Sequence, residues 1–597
     1  MEPKQNIVEQ FEWAVKNYPA NIALCTNDGT VTYEQLDKKA NSLAYLIRNS
    51  PLNQEHNVTL LLDHNEEMIV GILGILKAGK TYVPIDSHFP LERAKKIMND
   101  SRCNLLITNR HQLSLAHKLL NASGREIQII NISSLDNKNT EAPKLSINEN
   151  QPAYVLYTSG STGQPKGVVQ SHRSIVQSLS SYIEELDIKA SDTIALTTPY
   201  SHTVSVIDIF SALFTGASVA ILNIKNDFEV QSFGAWLKKM KVSIIHTVPT
   251  FYRFFMKYIT DRSLLEDVRL VILGGEEVLQ KDVKLYKDNF SKDCLFINLY
   301  GSSEVILGTI NIINKEYEDD RKVVSIGYPF SNIRAVILDQ NKKEIQAHGT
   351  GEIYLGAEFL DPKYYGDPQG TGKLFLQHDG KAGEKFIRTG DLVKLLPNGS
   401  IQLMGRMDSQ IKINGNRVHL SEIELNLDAV DGIEQCVVVP IRNENEDISL
   451  VAYIKVREEN PNIESIKDSL RKKLPEYMIP SFFVKLEKIP TTANGKVDRN
   501  GLPKLGYQDF KSNKDVREKS ELHKVILNIW KSTFENEDIT IHDNFFQLGG
   551  NSLMATEIVN KIFLALKIEI ELSTVFDHQS VFEMARFLEG KKEEQLT

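Results

Sequence analysis

The stretch YTSGSTGQPKGVVQSHRS, residues 157–174, contains a dense run of glycines and small hydroxyl side chains that leads into Lys166. It overlaps the end of AYVLY, residues 153–157, whose apolar and aromatic composition predicts a strand. Free backbone N–H groups, hydroxyl donors and a cation suit a polyphosphate, although a flexible connection would use the same residue types. The candidate phosphate contacts are Thr158, Ser159, Gly160, Ser161, Thr162, Gly163 and Lys166.

A second glycine-containing stretch, Gly74–Thr81, matches the nucleotide-binding pattern G-x-x-x-x-G-K-[ST]. Such a phosphate loop requires a strand before the glycines and a helix after them. Here MIVGILGILKAGK predicts an apolar helix that ends in a glycine cap, and TYVPID predicts the following strand. The order is reversed, so this stretch is predicted to be structural.

The composition is that of a globular protein, with 41% hydrophobic and 25% charged residues. A length of 597 residues exceeds a single core and predicts several domains. The net charge of -9 comes without a dense basic run, which argues against nucleic acid or an anionic membrane as a partner. The cysteines are dispersed, which argues against a zinc site or a disulfide framework and fits a reducing cytoplasm. They are Cys25, Cys103, Cys294 and Cys436.

Two features of the sequence argue against export or membrane insertion. The stretch MEPKQNIVEQF lacks the apolar core of a signal peptide. No apolar run reaches the ~18 residues that a membrane span needs. We therefore expect a cytoplasmic location and no membrane partner.

The hydrophobic pattern changes along the chain and predicts an α/β multidomain protein. Between about residues 20 and 330, amphipathic helices alternate with strands such as VTLLL (58–62) and VSIIHTV (242–248), which predicts largely parallel sheets. A small β-rich part follows to about residue 405, then a second α+β unit to 505 and the polar stretch GYQDFKSNKDVREKS. The last 80 residues predict a helical bundle.

The loop at residues 157–174 resembles the signature phosphate loop of the adenylate-forming superfamily, which includes acyl-CoA synthetases, luciferases and the adenylation domains of nonribosomal peptide synthetases. Further motifs follow in the family's order, and the resemblance extends over nearly the whole chain. It implies a large adenylation subdomain over residues 1–407, built from two α/β sheet layers plus the β-rich part. It further implies a small subdomain at 408–505, a linker at 506–517 and a carrier domain at 518–597.

The resemblance also implies the groups that bind ATP and Mg²⁺. NLYGSSE (298–304) resembles the segment that holds the adenine, and its Glu304 would bind Mg²⁺, a hard cation that favours carboxylate oxygen. RTGD (388–391) resembles the ribose-binding turn, with Asp391 accepting hydrogen bonds from the ribose. GRMD (405–408) resembles the hinge between subdomains. The remaining implied contacts are Asn298, Tyr300, Gly301 and Ser302 for the adenine, Arg406 near the nucleotide and Asp408 as the pivot.

PTTANGKVDR, residues 490–499, resembles the motif that carries the family's catalytic lysine, here Lys496. On sequence alone, a lysine in such a loop is more often solvated. The resemblance implies that Lys496 bridges the substrate carboxylate and the α-phosphate, where negative charge accumulates. The loop 412–417 would face the site during thioester formation, with Gly415 lining the path of the thiol. His419 replaces an acid that the family usually carries there.

DNFFQLGGNSL, residues 543–553, resembles the modification site of a peptidyl carrier domain. Ser552 follows two glycines and precedes a predicted helix, so a helix N-cap is a second interpretation, and both can hold together. The resemblance implies a covalent 4'-phosphopantetheine on Ser552. It also implies that a phosphopantetheinyl transferase is a partner.

SHTVSVIDIF, residues 201–210, resembles the stretch in which α-amino-acid-activating relatives place an aspartate against the substrate ammonium, but here that position is Thr203. A buried ammonium without a carboxylate partner is costly, so we expect a largely apolar carboxylic acid without a standard α-amino group. A β-amino or otherwise unusual amino acid, paired with another acid, is the alternative. The implied pocket residues are His202, Thr203, Val204, Ile207, His246, Ile272, Gly274, Leu299, Leu307 and Gly308, of which the glycines could leave room for a bulky group.

Two rival interpretations remain. A free acyl-CoA ligase shares the adenylation motifs, but the carrier-like segment argues against it. A catalytically dead carrier-positioning module is disfavoured because Lys166, Glu304, Asp391 and Lys496 are all present. Because no condensation or thioesterase segment follows Ser552, we expect a loading module with downstream synthetase or tailoring enzymes acting in trans.

Overall fold

The computed structural model describes residues 5–596 except 53, 136–139, 161–162, 224–231, 347–348, 377–384, 409, 443–447, 458–461, 491–496, 500, 506–520, 535, 538, 542, 544, 546–547, 549, 551, 571–573 and 576–577. The chain divides into two compact units. The larger comprises Met1–Gly160, Gln164–Ile224 and Gly234–Arg417. The smaller comprises Ser161–Gly163, Lys225–Phe233 and Val418–Thr597.

A nine-stranded sheet forms one layer of the large unit. Its strands are β1 Ile22–Cys25, β2 Thr30–Thr32, β9 Thr193–Leu196, β10 Ser218–Ile221, β11 Ile244–Thr247, β12 Leu270–Gly274, β13 Leu295–Tyr300, β14 Thr309–Ile313 and β15 Tyr328–Pro329. They lie in the order β15-β14-β13-β12-β11-β9-β10-β1-β2. The central strands from β13 to β1 are parallel.

A seven-stranded sheet forms the second layer. Its strands are β3 Asn57–Leu61, β4 Thr81–Pro84, β5 Leu105–Thr108, β6 Gln128–Asn131, β7 Pro152–Thr158, β8 Lys166–Ser171 and β18 Lys363–Tyr364. They lie in the order β18-β8-β7-β4-β3-β5-β6. The β-rich part is a five-stranded antiparallel sheet of β16 Arg334–Leu338, β17 Thr350–Gly356, β19 Phe375–Leu376, β20 Phe386–Leu395 and β21 Ile401–Arg406. The predicted α/β layers and β-rich part are therefore confirmed.

Helices accompany the two large sheets, as the alternating pattern predicts. They are α1 Ile7–Asn17, α2 Tyr33–Arg48, α3 Glu66–Lys77, α4 Leu91–Asp100, α5 Leu113–Ser123, α6 His172–Glu185, α7 Thr203–Thr215, α8 Phe233–Lys239, α9 Pro249–Met256, α10 Gln280–Asn289 and α11 Pro368–Leu374. Several begin at capping side chains. Thr32 and Gln35 form a reciprocal capping box on α2, and Ser171 caps α6.

The stretch Gly74–Thr81 has the order expected for a structural segment. Helix α3 ends at Lys77, and Gly79 (φ +72°) turns the chain into strand β4. The Lys80 N–H bonds the Ile75 carbonyl, as in a glycine-terminated helix. A Cβ on Gly74 would lie 2.6 Å from the Leu43 side chain, so this glycine serves the close approach of α2 and α3.

The small unit contains an α+β part and a helical bundle. The α+β part has a three-stranded sheet of β24 Ile433–Arg442, β25 Ile448–Val456 and β26 Phe482–Lys485, with helices α12 Leu420–Asp428 and α13 Ile463–Arg471. The bundle helices are α14 Glu521–Phe534, α15 Ser552–Leu566 and α16 Val581–Leu596. Trp530, Phe545 and Ile558 are buried in its own core.

The hairpin of β22 Gln410–Ile413 and β23 Asn416–His419 lies at the division between the units, because the large unit continues to Arg417, beyond the predicted boundary at 407/408. The domain limits therefore stay predictions. The predicted linker at 506–517 lies outside the described residues. No helix within the described part of the chain is both long and apolar enough to span a membrane.

Candidate functional site

The loop at residues 158–167 joins two antiparallel strands. Thr158 of β7 pairs with Lys166 of β8, so the glycine- and hydroxyl-rich segment closes a hairpin at the edge of its two strands. A Cβ on Gly160 would lie 2.1 Å from the Gln164 carbonyl oxygen, so this turn requires glycine. Gly163 has a left-handed backbone (φ +75°). Ser161 and Thr162 lie outside the described residues.

Lys166 is held by an aromatic ring and a carboxylate. Its Nζ lies 3.5 Å from the Tyr364 ring centroid and 3.4 Å from Asp367 Oδ2. A cation over an aromatic face gains from the quadrupole of the ring. These contacts hold the lysine at the exit of the loop, and its role as a phosphate contact stays a prediction.

Asp391 lies where the predicted ribose site and hinge meet. Tyr300 Oη donates to Asp391 Oδ2, and Arg406 Nη1 donates to Oδ1 at 2.7 Å. Asp391 and Arg406 are cross-strand partners on β20 and β21, which explains their contact. The Nε of Arg406 also donates to Asp408 at 2.8 Å. Although burial by itself lowers the pKa of Arg406, Asp408 and Asp391 raise it above its ordinary value. The structure therefore gathers two predicted residues, Tyr300 and Arg406, around the Asp391 carboxylate, and Arg406 links it to Asp408.

The segment 298–304 leaves strand β13 through a tight turn. The Asn298 side chain donates to the Ser325 carbonyl at 2.9 Å, which anchors the strand. A Cβ on Gly301 would lie 2.1 Å from the Ile306 carbonyl oxygen. Ser302 accepts from the Ile306 N–H at 2.7 Å, and Ile306 has φ +65°, a strained value for a β-branched residue. This strained turn fixes the position of Glu304.

Glu304 is buried and bound to a cation from the protein itself. Arg417 Nη1 donates to Glu304 Oε1 at 2.7 Å, and Tyr364 Oη donates to the same oxygen at 3.0 Å. Burial alone would raise the pKa of Glu304, but the Arg417 guanidinium outweighs it and lowers the pKa to about 2. The carboxylate is thus ionised and suits Mg²⁺, which uses one or two protein carboxylates together with substrate phosphates.

The predicted thiolation loop is the turn of the β22–β23 hairpin. Asn414 and Gly415 both have positive φ, at +49° and +76°, as a two-residue Asn-Gly hairpin turn requires. The Gly415 N–H donates to Glu276 Oε1 at 2.9 Å, and Thr250 binds the other oxygen of Glu276. A Cβ on Gly415 would lie 2.5 Å from Val248, so the turn passes close to the start of α9.

The predicted acyl-pocket residues converge on one face of the nine-stranded sheet. His246 is level with Ile272 on β12, and Gly274 is level with Leu299 on β13. Because side chains alternate along a strand, these four positions share one face, near the carboxyl ends of adjacent parallel strands. Ligands of open α/β sheets bind at such ends. Helix α7, which supplies Thr203, Val204 and Ile207, packs on this face through a contact between its Asp208 and His246.

The pocket residues differ in exposure. His202, Thr203 and Val204, at the start of α7, are partly exposed, whereas Ile207, His246, Ile272 and Leu307 are buried. Thr203 Oγ1 donates to Ser303 Oγ at 3.0 Å. Gly274 and Gly308 do not by themselves leave empty space in the acyl pocket, because neighbouring atoms already lie where a Cβ would be. A Cβ on Gly274 would lie 2.8 Å from the Leu299 carbonyl oxygen, and one on Gly308 would lie 2.7 Å from Leu355.

The structure says little about Lys496 and Ser552, the two residues predicted to be catalytic. Ser552 is the first residue of α15, as the helix-start interpretation predicts, and nothing is described of its side chain. Lys496 lies outside the described residues. Sequence reasoning also missed the pairings of Glu304 with Arg417, of Gly415 with Glu276 and of His246 with Asp208. The acidic pair after Gly274 and Gly275, at the end of a parallel strand, was a usable signal for Glu276.

Three family matches cover most of the chain. Residues 11–365 match the AMP-binding enzyme family, residues 422–496 match its C-terminal domain, and residues 524–588 match the phosphopantetheine attachment site. The chain therefore belongs to the AMP-binding enzymes and is an adenylate-forming ligase with a phosphopantetheine attachment domain.

The chain is similar to modules of peptide synthetases. It is 32% identical to bacitracin synthase 1 of Bacillus licheniformis, over 98% of this chain and 11% of that protein. It is also 32% identical to gramicidin S synthase 2 of Brevibacillus brevis, over 99% of this chain and 13% of that protein. The chain thus spans about a tenth of the length of these relatives.

A solved structure supports the fold over nearly the whole length. The holo form of PA1221, an NRPS protein containing adenylation and PCP domains bound to a vinylsulfonamide inhibitor, matches with a TM-score of 0.79 and 21% identity. The match covers 98% of this chain and 96% of that one. The predicted architecture of adenylation domain, small subdomain and helical carrier region is therefore confirmed.

Proposed function

We propose that the chain is a nonribosomal peptide synthetase loading module that activates a carboxylic acid as its acyl-adenylate and transfers it to a phosphopantetheine thiol on Ser552. The observation that carries this proposal is the presence of an AMP-binding domain and a phosphopantetheine attachment domain in one chain. A phosphopantetheinyl transferase would supply the arm. Downstream synthetase or tailoring enzymes would act on the loaded arm, in the cytoplasm.

In the first half-reaction, a substrate carboxylate oxygen attacks the α-phosphorus of ATP, and the bond to the pyrophosphate oxygen breaks. The loop with Lys166 binds the departing phosphates, and Asp391 accepts hydrogen bonds from the ribose. Lys496 stabilises the charge that develops between carboxylate and α-phosphate. Glu304 would hold Mg²⁺, which when bound would neutralise phosphate charge.

In the second half-reaction, the thiol loses its proton and its sulfur attacks the acyl carbon, and AMP leaves with the electrons of the broken C–O bond. Glu276 fixes the turn at Gly415 through the backbone N–H, which supports a role for this turn along the path of the arm. A hinge at Asp408 would exchange the groups that face the site between the two half-reactions.

The substrate that best fits the pocket is a largely apolar acid without a standard α-amino group. The Thr203 hydroxyl is neutral and engaged with Ser303, and the buried part of the pocket is mostly aliphatic. A substrate ammonium would lose hydration there without gaining a carboxylate from Thr203. A β-amino or unusual amino acid is the alternative. Transfer to free coenzyme A is a second candidate activity, supported by the fold shared with o-succinylbenzoate CoA synthetase (TM-score 0.72).

The test is ATP–pyrophosphate exchange with matched acids, each amino acid beside its α-keto, α-hydroxy and deamino analogues, together with aryl acids. We expect exchange with an acid that lacks the α-amino group. A clear preference for an ordinary L-α-amino acid over every analogue would contradict the substrate proposal. Free coenzyme A as acceptor, with the acyl-CoA product measured by mass spectrometry, distinguishes the second activity.

A further inference from the structure

A single tyrosine contacts both charged groups that are predicted to bind the ATP phosphates and their metal. The ring of Tyr364 lies under the Lys166 ammonium, with 3.5 Å between Nζ and the ring centroid. The Tyr364 hydroxyl donates to Glu304 Oε1 at 3.0 Å. Lys166 is the predicted phosphate contact and Glu304 is the predicted magnesium ligand, so one side chain joins two groups that lie far apart in the sequence.

The pairing of strands β8 and β18 explains why these side chains meet. Tyr364 is level with Val168, and the two strands are antiparallel. Because side chains alternate along a strand, the residues two positions before and after Val168 share its face with Tyr364. They are Lys166 and Gln170. Gln170 Nε2 donates to both carbonyls of the segment 303–304, each at 2.9 Å. This segment, which carries the predicted metal ligand, is therefore held against the same face of the hairpin.

The backbone of Tyr364 is held independently of its side chain. Its N–H donates to Thr371 Oγ1 at 2.9 Å, and the Tyr365 N–H donates to the Gly167 carbonyl at 2.8 Å. Replacing the ring or the hydroxyl of Tyr364 should therefore leave strand β18 in place. The Tyr365 hydroxyl has a different partner, because it donates to the Ser101 carbonyl at 3.3 Å. Tyr365 is thus a matched control.

The two contacts of Tyr364 suit a site that must receive phosphates and a metal. A cation over a ring face is attracted by the ring quadrupole and keeps N–H donors that can bind a phosphate. Asp367, the other partner of Lys166, is partly exposed and 3.4 Å away, a weak pair that a phosphate can displace. Donation from the hydroxyl to Glu304 also makes the ring more electron-rich, which strengthens its attraction for the ammonium. The two contacts should therefore support each other.

We propose that Tyr364 is a positioning residue that holds Lys166 with its ring and Glu304 with its hydroxyl, so that the ammonium and the metal-binding carboxylate face the same ATP phosphates. The inference rests on the proposed adenylation function and adds a residue to its nucleotide site. Lysine and Mg²⁺ both act on phosphate oxygens. Loss of Tyr364 contacts should therefore raise the KM for ATP and leave the KM for the acid unchanged.

The test measures binding of α,β-methylene-ATP, an analogue that cannot release pyrophosphate, to the full chain by titration calorimetry, once with Mg²⁺ and once with EDTA. Tyr364→Phe removes only the hydroxyl. With Mg²⁺ it should weaken binding about tenfold, the usual effect of losing a hydrogen bond to a charged group. With EDTA it should bind within about twofold of the wild-type protein, because no metal then engages Glu304.

Tyr364→Leu removes the ring as well as the hydroxyl. It should weaken binding by about a further threefold, both with Mg²⁺ and with EDTA, because the cation–ring contact of Lys166 does not depend on the metal. In pyrophosphate exchange, the KM for ATP should rise in the same order, from wild type to Tyr364→Phe to Tyr364→Leu. Tyr365→Phe should match the wild-type protein in every measurement.

Wild-type binding by Tyr364→Phe in the presence of Mg²⁺ would overturn the inference and leave adenylation intact. A loss of equal size with Mg²⁺ and with EDTA would also overturn it, because a purely structural tyrosine would give that result. An equal loss in Tyr365→Phe would assign the effect to strand β18 as a whole and would overturn it too. A wild-type protein that neither binds the analogue nor exchanges pyrophosphate with any acid of a broad panel would overturn the proposed function together with the inference.

Discussion

Glu304 and Asp208 are both fully buried carboxylates of the large unit, yet burial has opposite outcomes for them. Glu304 is paired with a guanidinium that stays charged, and its pKa falls to about 2. Burial raises the pKa of Asp208, and its His246 partner opposes this shift without reversing it. The partner, more than the burial, decides which carboxylate is available to bind a cation. We infer that Glu304, and not Asp208, is the carboxylate that handles charge in the site.

The largest effect should come from removing the predicted catalytic lysine. Lys496→Ala should lower pyrophosphate exchange by ~100-fold or more, as expected when a stabiliser of transition-state charge is removed. The loss should be equal for every acid, because the α-phosphate is common to all of them. Thioester formation from supplied acyl-adenylate should be largely spared. Exchange at the wild-type rate would remove Lys496 from the mechanism.

Replacing Arg417 tests the pairing of Glu304. Arg417→Ala should lower the free energy of unfolding at neutral pH by about 3 kcal/mol, because it leaves a buried carboxylate unpaired. Since the pKa of Glu304 is depressed, the stability from the pair is present above about pH 4.5 and is lost as pH falls towards 2. In urea unfolding, the difference in free energy of unfolding between the wild-type protein and Arg417→Ala should therefore become smaller below about pH 4.5.

Arg417→Lys keeps the positive charge and is the matched control, so it should recover part of the difference at neutral pH. If the difference in free energy of unfolding between the wild-type protein and Arg417→Ala stayed constant from neutral to acidic pH, Arg417 would stabilise the fold by packing alone. The pKa of Glu304 would then not depend on its pairing with Arg417.

The smallest effect should come from the mouth of the pocket. Thr203→Asp places a carboxylate at the start of α7, where a substrate ammonium would lie. We expect about a tenfold shift in kcat/KM ratio from deamino acids towards the matching L-α-amino acids, since a partly exposed pair is worth little more than 1 kcal/mol. Equal ratios in variant and wild type would mean that Thr203 does not face the α-carbon. Thr203→Asn, which adds a similar volume without the charge, is the control.

Short sequence patterns predict the local secondary structure around the site. The strand before the phosphate loop, the helix-then-strand order around Gly74 and the helix beginning at Ser552 all follow from short patterns, and the structure has each of them. The pairings are not local: Arg417 and Glu304 are 113 residues apart, and Gly415 and Glu276 are 139 apart. No periodicity in the sequence reports which distant residues the sheet order will bring together. The glycines at 274 and 308 show the same limit, because only the structure reveals which neighbours a side chain would meet.

Intact-protein mass spectrometry can show directly whether acid activation and carrier loading occur on one chain. The protein is first treated with a phosphopantetheinyl transferase and coenzyme A, then with ATP, Mg²⁺ and the acid that gives the fastest exchange. We predict a gain of one phosphopantetheine followed by one acyl group, with the acyl gain dependent on ATP. Ser552→Ala should gain neither while it retains pyrophosphate exchange. Loading that persists in Ser552→Ala would rule out Ser552 as the attachment site, and a phosphopantetheinylated wild-type protein that exchanges pyrophosphate but is never acylated would rule out loading on the same chain.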